Sequence, residues 1–282
     1  MTTVRVHAPA KINLTLTVTG RRPDGYHLLH SAVVFAPDIA DVVTVAPSDR
    51  ISLAVQGPRA DGVPTDDTNI VLRAARLLAD ARGVSSGAAI TLEKHLPHAA
   101  GIGGGSSDAA AALRALASLW AVAPLTGAEA LPLGADVPVC LAGPAPQIMK
   151  GIGDILSPAA GLSGGLHLVL ANAGVAVPTR AVFSALQPAT LGAASPYAGD
   201  AMSVTWMKSR GNDLLAPARS IAPEIAQTVD ALAATGALWA SMSGSGATCF
   251  GLFETGDQAA VAAEALANAH SDWWVRHGAI AQ

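Results

Sequence analysis

Residues 97–108 read Pro97-His98-Ala99-Ala100-Gly101-Ile102-Gly103-Gly104-Gly105-Ser106-Ser107-Asp108, and an alanine-rich run, Ala109–Trp120, follows without a break. The run has helical composition, so the stretch reads as a glycine-rich loop opening directly into a helix. Glycines let a backbone turn several N–H groups toward one point and approach a ligand closely. A helix N-terminus adds unpaired N–H groups and about half a positive charge of dipole. Ser106 and Ser107 add hydroxyls, and together these features suit a polyphosphate. The common phosphate loops do not fit. A Walker A loop needs Gly-Lys-Ser/Thr, and no lysine here follows a glycine. A dinucleotide fingerprint needs G-x-G-x-x-G, but counting from Gly101 and Gly103 puts Ser106 in the third glycine's place.

Outward from this stretch, strands and helices mix without strict alternation, which argues for an α+β fold rather than a doubly wound one. Leu14, Leu16 and Val18 alternate with Thr15 and Thr17, the pattern of a half-buried strand. Further strands are expected at Ser31–Phe35, Asp41–Val45, Ile51–Gln56 and Ala89–Lys94. Asp66-Asp67-Thr68 reads as the cap of a helix over Asn69–Arg82, stopped by Gly83. Leu133-Gly134-Ala135-Asp136-Val137-Pro138-Val139 reads as a loop entering a strand. The Gly/Pro-rich stretch Gly143–Gly165 marks the expected boundary between a domain over 1–155 and a second over 156–282. In the second, a strand at Leu166–Ala171, a helix near Thr179–Leu186 and a polar loop to Tyr197 are expected. A helix at Pro223–Ala234, strands near Leu238–Met242 and Thr248–Phe253, and a helix at Asp257–His270 complete it.

Composition narrows the function. The 282 residues are 51% hydrophobic and 13% charged, with net charge −4, which excludes a disordered chain and disfavours nucleic-acid binding. The only cysteines, Cys140 and Cys249, stand in apolar sequence and suit a reducing, cytoplasmic setting, not a disulfide scaffold or a zinc site. The start lacks an apolar signal region. Ala231–Phe253 carries no charge and is long enough to span a bilayer, but Ser241, Ser243, Gly244, Ser245, Gly246 and Thr248 break it. It is read as helix end, strand, glycine turn and strand, with no membrane span.

Other residues carry chemistry when taken together. Lys11, one of four lysines, heads an apolar strand in Pro9-Ala10-Lys11-Ile12-Asn13-Leu14. Alone it reads as a strand-end lysine snorkelling to solvent. Asp136 lies between small and apolar residues. It is either a cap or, with Lys11, the base and cation that phosphoryl transfer to an alcohol needs. Gly25-Tyr26-His27 offers a stacking face and a two-ended hydrogen-bonding ring, as a nucleobase requires, or a surface tyrosine under a turn. Ser243-Gly244-Ser245-Gly246-Ala247 alone is a tight hairpin.

In order, Pro9–Leu14, Arg22–His27, the glycine-rich stretch, Leu133–Pro138 and Ser243–Ala247 resemble the GHMP kinase superfamily over about residues 8–253. The resemblance implies an N-terminal ribosomal-protein-S5-like domain, a C-terminal ferredoxin-like domain and a site between them. It implies ATP as phosphoryl donor, with Mg2+, and Pro97, His98, Ala99, Ala100, Gly101, Ile102, Gly103, Gly104, Gly105, Ser106 and Ser107 around the phosphates. Asp136 would be the base and Lys11 would polarise it. Asn13 would line the alcohol. Tyr26, His27 and Phe183 match positions that hold a cytosine, so the implied alcohol is a cytidine diphosphate derivative on the route to isoprenoids. Alternatives are a superfamily kinase for homoserine or mevalonate, and a non-catalytic S5-like binding module, which would lack Lys11 or Asp136 and carry a basic face. No side-chain metal site is expected, and the implied state is a monomer or weak homodimer. Two departures stand out. His98-Ala99-Ala100 replaces glycines common in the superfamily, and the stretch from Trp120 to Leu133 is about three residues short.

Overall fold

The computed structural model describes residues 3–159, 165–186 and 202–282. Its first sheet combines β1 (Val4–Asn13), β2 (Thr17–Arg21), β3 (His27–Ser48), β4 (Ser52–Gln56), β5 (Gly87–Glu93), β6 (Gln147–Gly151) and β7 (Ile155–Pro158). The path runs β4-β5-β3-β6-β7, with β1 and β2 also pairing β3; only β4 and β5 are parallel. The second sheet is antiparallel, in the order β11 (Trp274–Ala279), β8 (His167–Asn172), β10 (Cys249–Phe253) and β9 (Trp239–Met242).

Helices α1 (Ile70–Arg82) and α2 (Gly104–Leu119) cover one face of the first sheet. Short helices α3 (Gly127–Ala130) and α4 (Val137–Ala142) follow α2. Beyond them come α5 (Thr179–Ser184), α6 (Val204–Arg210), α7 (Leu215–Ile221), α8 (Glu224–Ala234) and α9 (Gly256–Ala269). The opposite face of the first sheet meets the second through Ile12, Val34, Leu168, Leu170 and Phe250. The far face of the second sheet is covered by α7, α8 and α9 through Ala218, Ile225, Leu232 and Leu266. These layers, built on two sheets, agree with the α+β architecture expected from the sequence. Alanine at buried positions of α2 lets that helix lie close on β1 and β3, which brings its N-terminus to the junction of the sheets.

Several elements differ from the sequence reading. Residues 14–16 link β1 to β2 instead of forming a strand core. The Thr15 hydroxyl accepts from Ala32 N and its carbonyl from Ser31 Oγ, so these bonds replace part of the ladder. Ser31–Phe35 and Asp41–Val45 are one strand, β3, because a register shift at Pro9/Ala10 leaves Pro37 and Asp38 outside the pairing with β1. Asn69, not Asp66-Asp67-Thr68, caps α1, its side chain accepting from Val71 N at 2.8 Å. Residues 137–142 are a helix, not a strand: Pro138 suits a first helical turn, and the flanking valines misled the reading. The glycine-rich loop ends sooner than expected, since Gly104 to Asp108 already belong to α2. Residues 231–253 are helix end, strand, turn and strand, and no described helix is long and apolar enough to cross a membrane. The polar loop toward Tyr197 falls largely outside the described residues.

Candidate active site

A cleft of about 1290 Å³ lies where the two sheets, α2 and α5 converge. Its floor is the start of α2. Gly101 (φ +74°) and Gly103 (φ +63°) hold left-handed backbone that places Gly104 as the first helical residue. No described side chain caps this end. The amides of Gly104, Gly105 and Ser106 therefore lack intrahelical acceptors and stay open to an anion.

The structure separates the expected loop residues into two groups. Pro97, His98, Ala99, Ala100, Gly101, Gly103, Gly104, Gly105 and Ser106 line the cleft. Ile102 and Ser107 do not: both are buried behind it. The Ile102 carbonyl accepts from Lys11 N at 2.9 Å, and Ser107 Oγ donates to Pro9 O at 2.7 Å. These two residues fasten the loop to β1. His98 anchors the loop from the other side, its Nε2 lying 2.7 Å from Arg59 O.

Lys11 and Asn13 project from the end of β1. Lys11 is 3% exposed, far from the solvated lysine a strand end usually carries. Its Nζ donates to Asn13 Oδ1 at 2.9 Å and Asp136 Oδ2 at 3.0 Å. Asn13 Nδ2 donates in turn to Ser31 Oγ at 2.7 Å. Asp136 stands at the head of α4 with its side chain 37% exposed, so one carboxylate edge is pinned and the other faces the cleft. The short links α3 and Leu131–Leu133 deliver Asp136 to this point.

Tyr26 and His27 sit at the turn between β2 and β3, shaped by Gly25 at φ +92° and by Arg22 N donating to Tyr26 O at 2.7 Å. Tyr26 is 59% exposed, an open aromatic face over the cleft. His27 stacks on Phe183 of α5 with centroids 4.9 Å apart and planes at 27°. Burial, reinforced by Arg21, lowers the His27 pKa below its ordinary 6.5, which favours the neutral ring.

Some residues of the site were not expected. Ser243, in the turn between β9 and β10, donates to Gly101 O at 2.9 Å and accepts from Asn13 N at 3.1 Å. It joins the loop to the Lys11 strand. Thr248 N donates to Ala100 O at 3.0 Å, and Asn212 Nδ2 holds the same turn through Met242 O (2.8 Å) and Gly244 O (2.9 Å). Thr179 and Ser245 share a 2.9 Å hydrogen bond on the cleft wall. Lys94, Asp41 and Asp108 form a buried cluster behind the first turn of α2. The one sequence signal for that cluster was the scarcity of lysine, which makes each lysine beside an apolar strand informative.

An uncapped glycine-rich helix start facing a lysine–aspartate pair is an arrangement for moving a phosphoryl group. Residues 69–156 match the family of GHMP kinases N terminal domains, and residues 197–272 match the GHMP kinases C terminal family. The chain belongs to the GHMP kinases. It is 52% identical to the 4-diphosphocytidyl-2-C-methyl-D-erythritol kinase of Ruegeria pomeroyi over 98% of this chain and 99% of that protein. It is 54% identical to the kinase of the same name from Cereibacter sphaeroides, over 95% and 96%. A crystal structure of 4-(cytidine 5'-diphospho)-2C-methyl-D-erythritol kinase superposes with TM-score 0.81 at 36% identity, covering 99% of this chain and all of that one. Within the GHMP kinases, the 4-diphosphocytidyl-2-C-methyl-D-erythritol kinase family is thus the one it falls in. Homoserine kinase from Cytophaga hutchinsonii shares the fold alone (TM-score 0.74, 19% identity, 98% and 94% covered).

Proposed function

We propose that the chain transfers the γ-phosphate of ATP to the 2-hydroxyl of 4-diphosphocytidyl-2-C-methyl-D-erythritol, a step of non-mevalonate isoprenoid precursor synthesis, with Asp136 as base. The carrying observation is the Lys11 ammonium, buried and shared between Asn13 and Asp136 beside the open start of α2. The triphosphate lies along the amides of Gly104, Gly105 and Ser106. The substrate hydroxyl approaches the free edge of Asp136, which takes its proton as the oxygen attacks phosphorus and ADP leaves. Lys11 holds the carboxylate in place and offsets negative charge building on the transferring group. Asn13 lines the alcohol. Tyr26, His27 and Phe183 hold the cytosine, which a homoserine or mevalonate kinase has no use for.

Magnesium enters as part of the nucleotide substrate. Such an ion is carried on phosphate oxygens and water. There it supplies charge neutralisation. The reading puts the enzyme in the cytoplasm, as a monomer or weak homodimer. Burial pushes the Cys140 and Cys249 thiols up to about 12, which keeps them protonated and unreactive.

The deciding experiment is ADP release with a panel of alcohols: the cytidine diphosphate substrate, its uridine analogue, homoserine and mevalonate. Turnover confined to the cytidine compound is expected. Comparable turnover of homoserine or mevalonate overturns the assignment.

A further inference from the structure

The Lys94–Asp41–Asp108 cluster has no part in the mechanism above, yet it lies directly behind the phosphate loop. Lys94 follows β5, Asp41 is on β3 and Asp108 is in α2. All three are at least 97% buried. The Lys94 ammonium donates to Asp41 Oδ2 and, at 2.7 Å, to Asp108 Oδ2. One cation faces two carboxylates, so full ionisation leaves one uncompensated negative charge in a desolvated site, which is costly.

The donors decide which carboxylate is vulnerable. Asp41 also accepts from His95 N at 2.5 Å and Leu96 N at 2.9 Å, so three donors serve its anion. Among the described residues Asp108 has only Lys94 as donor, and its buried Oδ1 has no partner. A proton entering the cluster therefore settles on Asp108. Burial raises the Asp108 carboxyl well above the usual carboxylate range, against the pull of Lys94. Burial also works against the Lys94 charge, but the two carboxylates outweigh it and hold the ammonium protonated.

The location links this proton to ligand binding. A Cβ on Gly104, the first residue of α2, would lie 3.8 Å from Lys94 Nζ and 3.9 Å from Asp41 Oδ2. Lys94 and Asp108 both line the cleft. Other groups around this turn leave the imbalance in place. Lys11 on β1 and Asp136 at the head of α4 neutralise each other at 3.0 Å. His95 is paired with Glu93 at 2.9 Å. In α4, Cys140 remains a thiol, and Arg114, further along α2, donates to its carbonyl. Toward this turn α1 presents the apolar Ile70. A polyphosphate arriving at the amides of Gly104 and Gly105 repels an ionised Asp108 through low-dielectric protein.

We propose that nucleotide binding at the first turn of α2 is linked to uptake of one proton by Asp108, with Lys94 as the positioning residue that ties this carboxyl and Asp41 to the loop. The proton comes from solvent and rests on Oδ1; no bond to phosphorus is involved. The proposal rests on the reading of this loop as the ATP site.

The test is calorimetric titration of the full chain with a non-hydrolysable ATP analogue and magnesium, in buffers of different ionisation heat, from about pH 6.5 to about pH 9. The wild type is expected to take up as much as one proton more than Asp108→Asn. Its affinity is expected to fall by up to about tenfold per pH unit relative to that variant as pH rises. Equal proton counts and equal pH slopes in the two proteins overturn the proposal. Should Asp108→Asn not fold, the wild type alone decides: proton exchange matching the nucleotide's own titration across the range overturns it. Binding without uptake overturns only this proposal, whereas no binding at all overturns the ATP-site reading and this proposal with it.

Discussion

Gly101→Ala places one methyl group where the two domains touch. Gly101 has φ +74°, and an added Cβ would lie 2.5 Å from Ser243 O, 2.7 Å from Gly246 O and 2.8 Å from Gly246 N. These are backbone atoms of the turn between β9 and β10, so no side chain can swing aside. The left-handed conformation costs an alanine about 1–2 kcal/mol. Restoring ordinary contact moves the loop and the turn apart by about 1 Å. That breaks the Ser243 Oγ–Gly101 O and Thr248 N–Ala100 O hydrogen bonds, now 2.9 and 3.0 Å. At about 1 kcal/mol net each, the total is about 3–4 kcal/mol. For a chain of this size that corresponds to a Tm lower by about 6–16 °C. Gly105→Ala is the internal control. Gly105 lies inside α2, and its added Cβ meets only Ile70 Cγ2 at 3.7 Å. That substitution should stabilise the apo protein by about 0.5–1 kcal/mol. Differential scanning calorimetry of the ligand-free proteins reads both effects. A Gly101→Ala Tm within about 2 °C of wild type, which corresponds to about 1 kcal/mol or less at this size, would refute the claim that the turn buttresses the loop.

Asp136→Asn should retain its fold and ATP binding but lose roughly 10²–10⁴-fold in kcat; steady-state turnover near wild type removes Asp136 from the base role. Lys11→Met should also act on kcat, and a change confined to the ATP KM would make Lys11 a nucleotide-binding residue instead. Tyr26→Ala and Phe183→Ala should each raise the KM for the cytidine substrate, by a factor that a stacking contribution of roughly 1–3 kcal/mol sets at roughly 5–150, while the ATP KM stays put. A shift in the ATP constant would assign those aromatics to the adenine. The pH dependence of His27 follows from its lowered pKa: burial and Arg21 keep the ring neutral through and below its ordinary 6.5. The KM for the cytidine substrate should therefore stay level from about pH 8 to about pH 6.5 and rise only below it, as the ring loses its acceptor nitrogen. A rise centred above pH 6.5 contradicts this sign.

What could be read from the sequence divides by how local its cause is. The start of α2 was legible because glycines, serines and a helix start act within one short stretch, and an anion needs no distant partner there. Lys11 was ambiguous for the opposite reason. Its snorkelling and buried readings differ only in whether Asp136, 125 residues away, comes within reach. Ser243 is 230 residues from Asn13 and 142 from Gly101, so its bridging role exists only once the second sheet has packed on the first. The same holds for Asn212, whose side chain meets Met242 O and Gly244 O, 30 and 32 residues away, only in the folded chain. Among the secondary elements, β6, β7 and β11 show weak alternation in sequence, and pairing fixes them as strands, β6 on β3, β7 on β6 and β11 on β8. Valines around Pro138 suggest a strand instead, but burial under α2 and the fit of proline to a first helical turn decide that segment. Residues that touch the ligand thus carry local signatures set by ligand chemistry, whereas residues that hold them are chosen by packing between distant segments. The Lys94 cluster sharpens this distinction. Its three members come from three elements, Lys94 lying 53 residues from Asp41 and 14 from Asp108. Its imbalance of charge is invisible until all three share one buried site. The loop it supports can be recognised from a dozen residues, but the proton that accompanies its ligand depends on the whole N-terminal sheet.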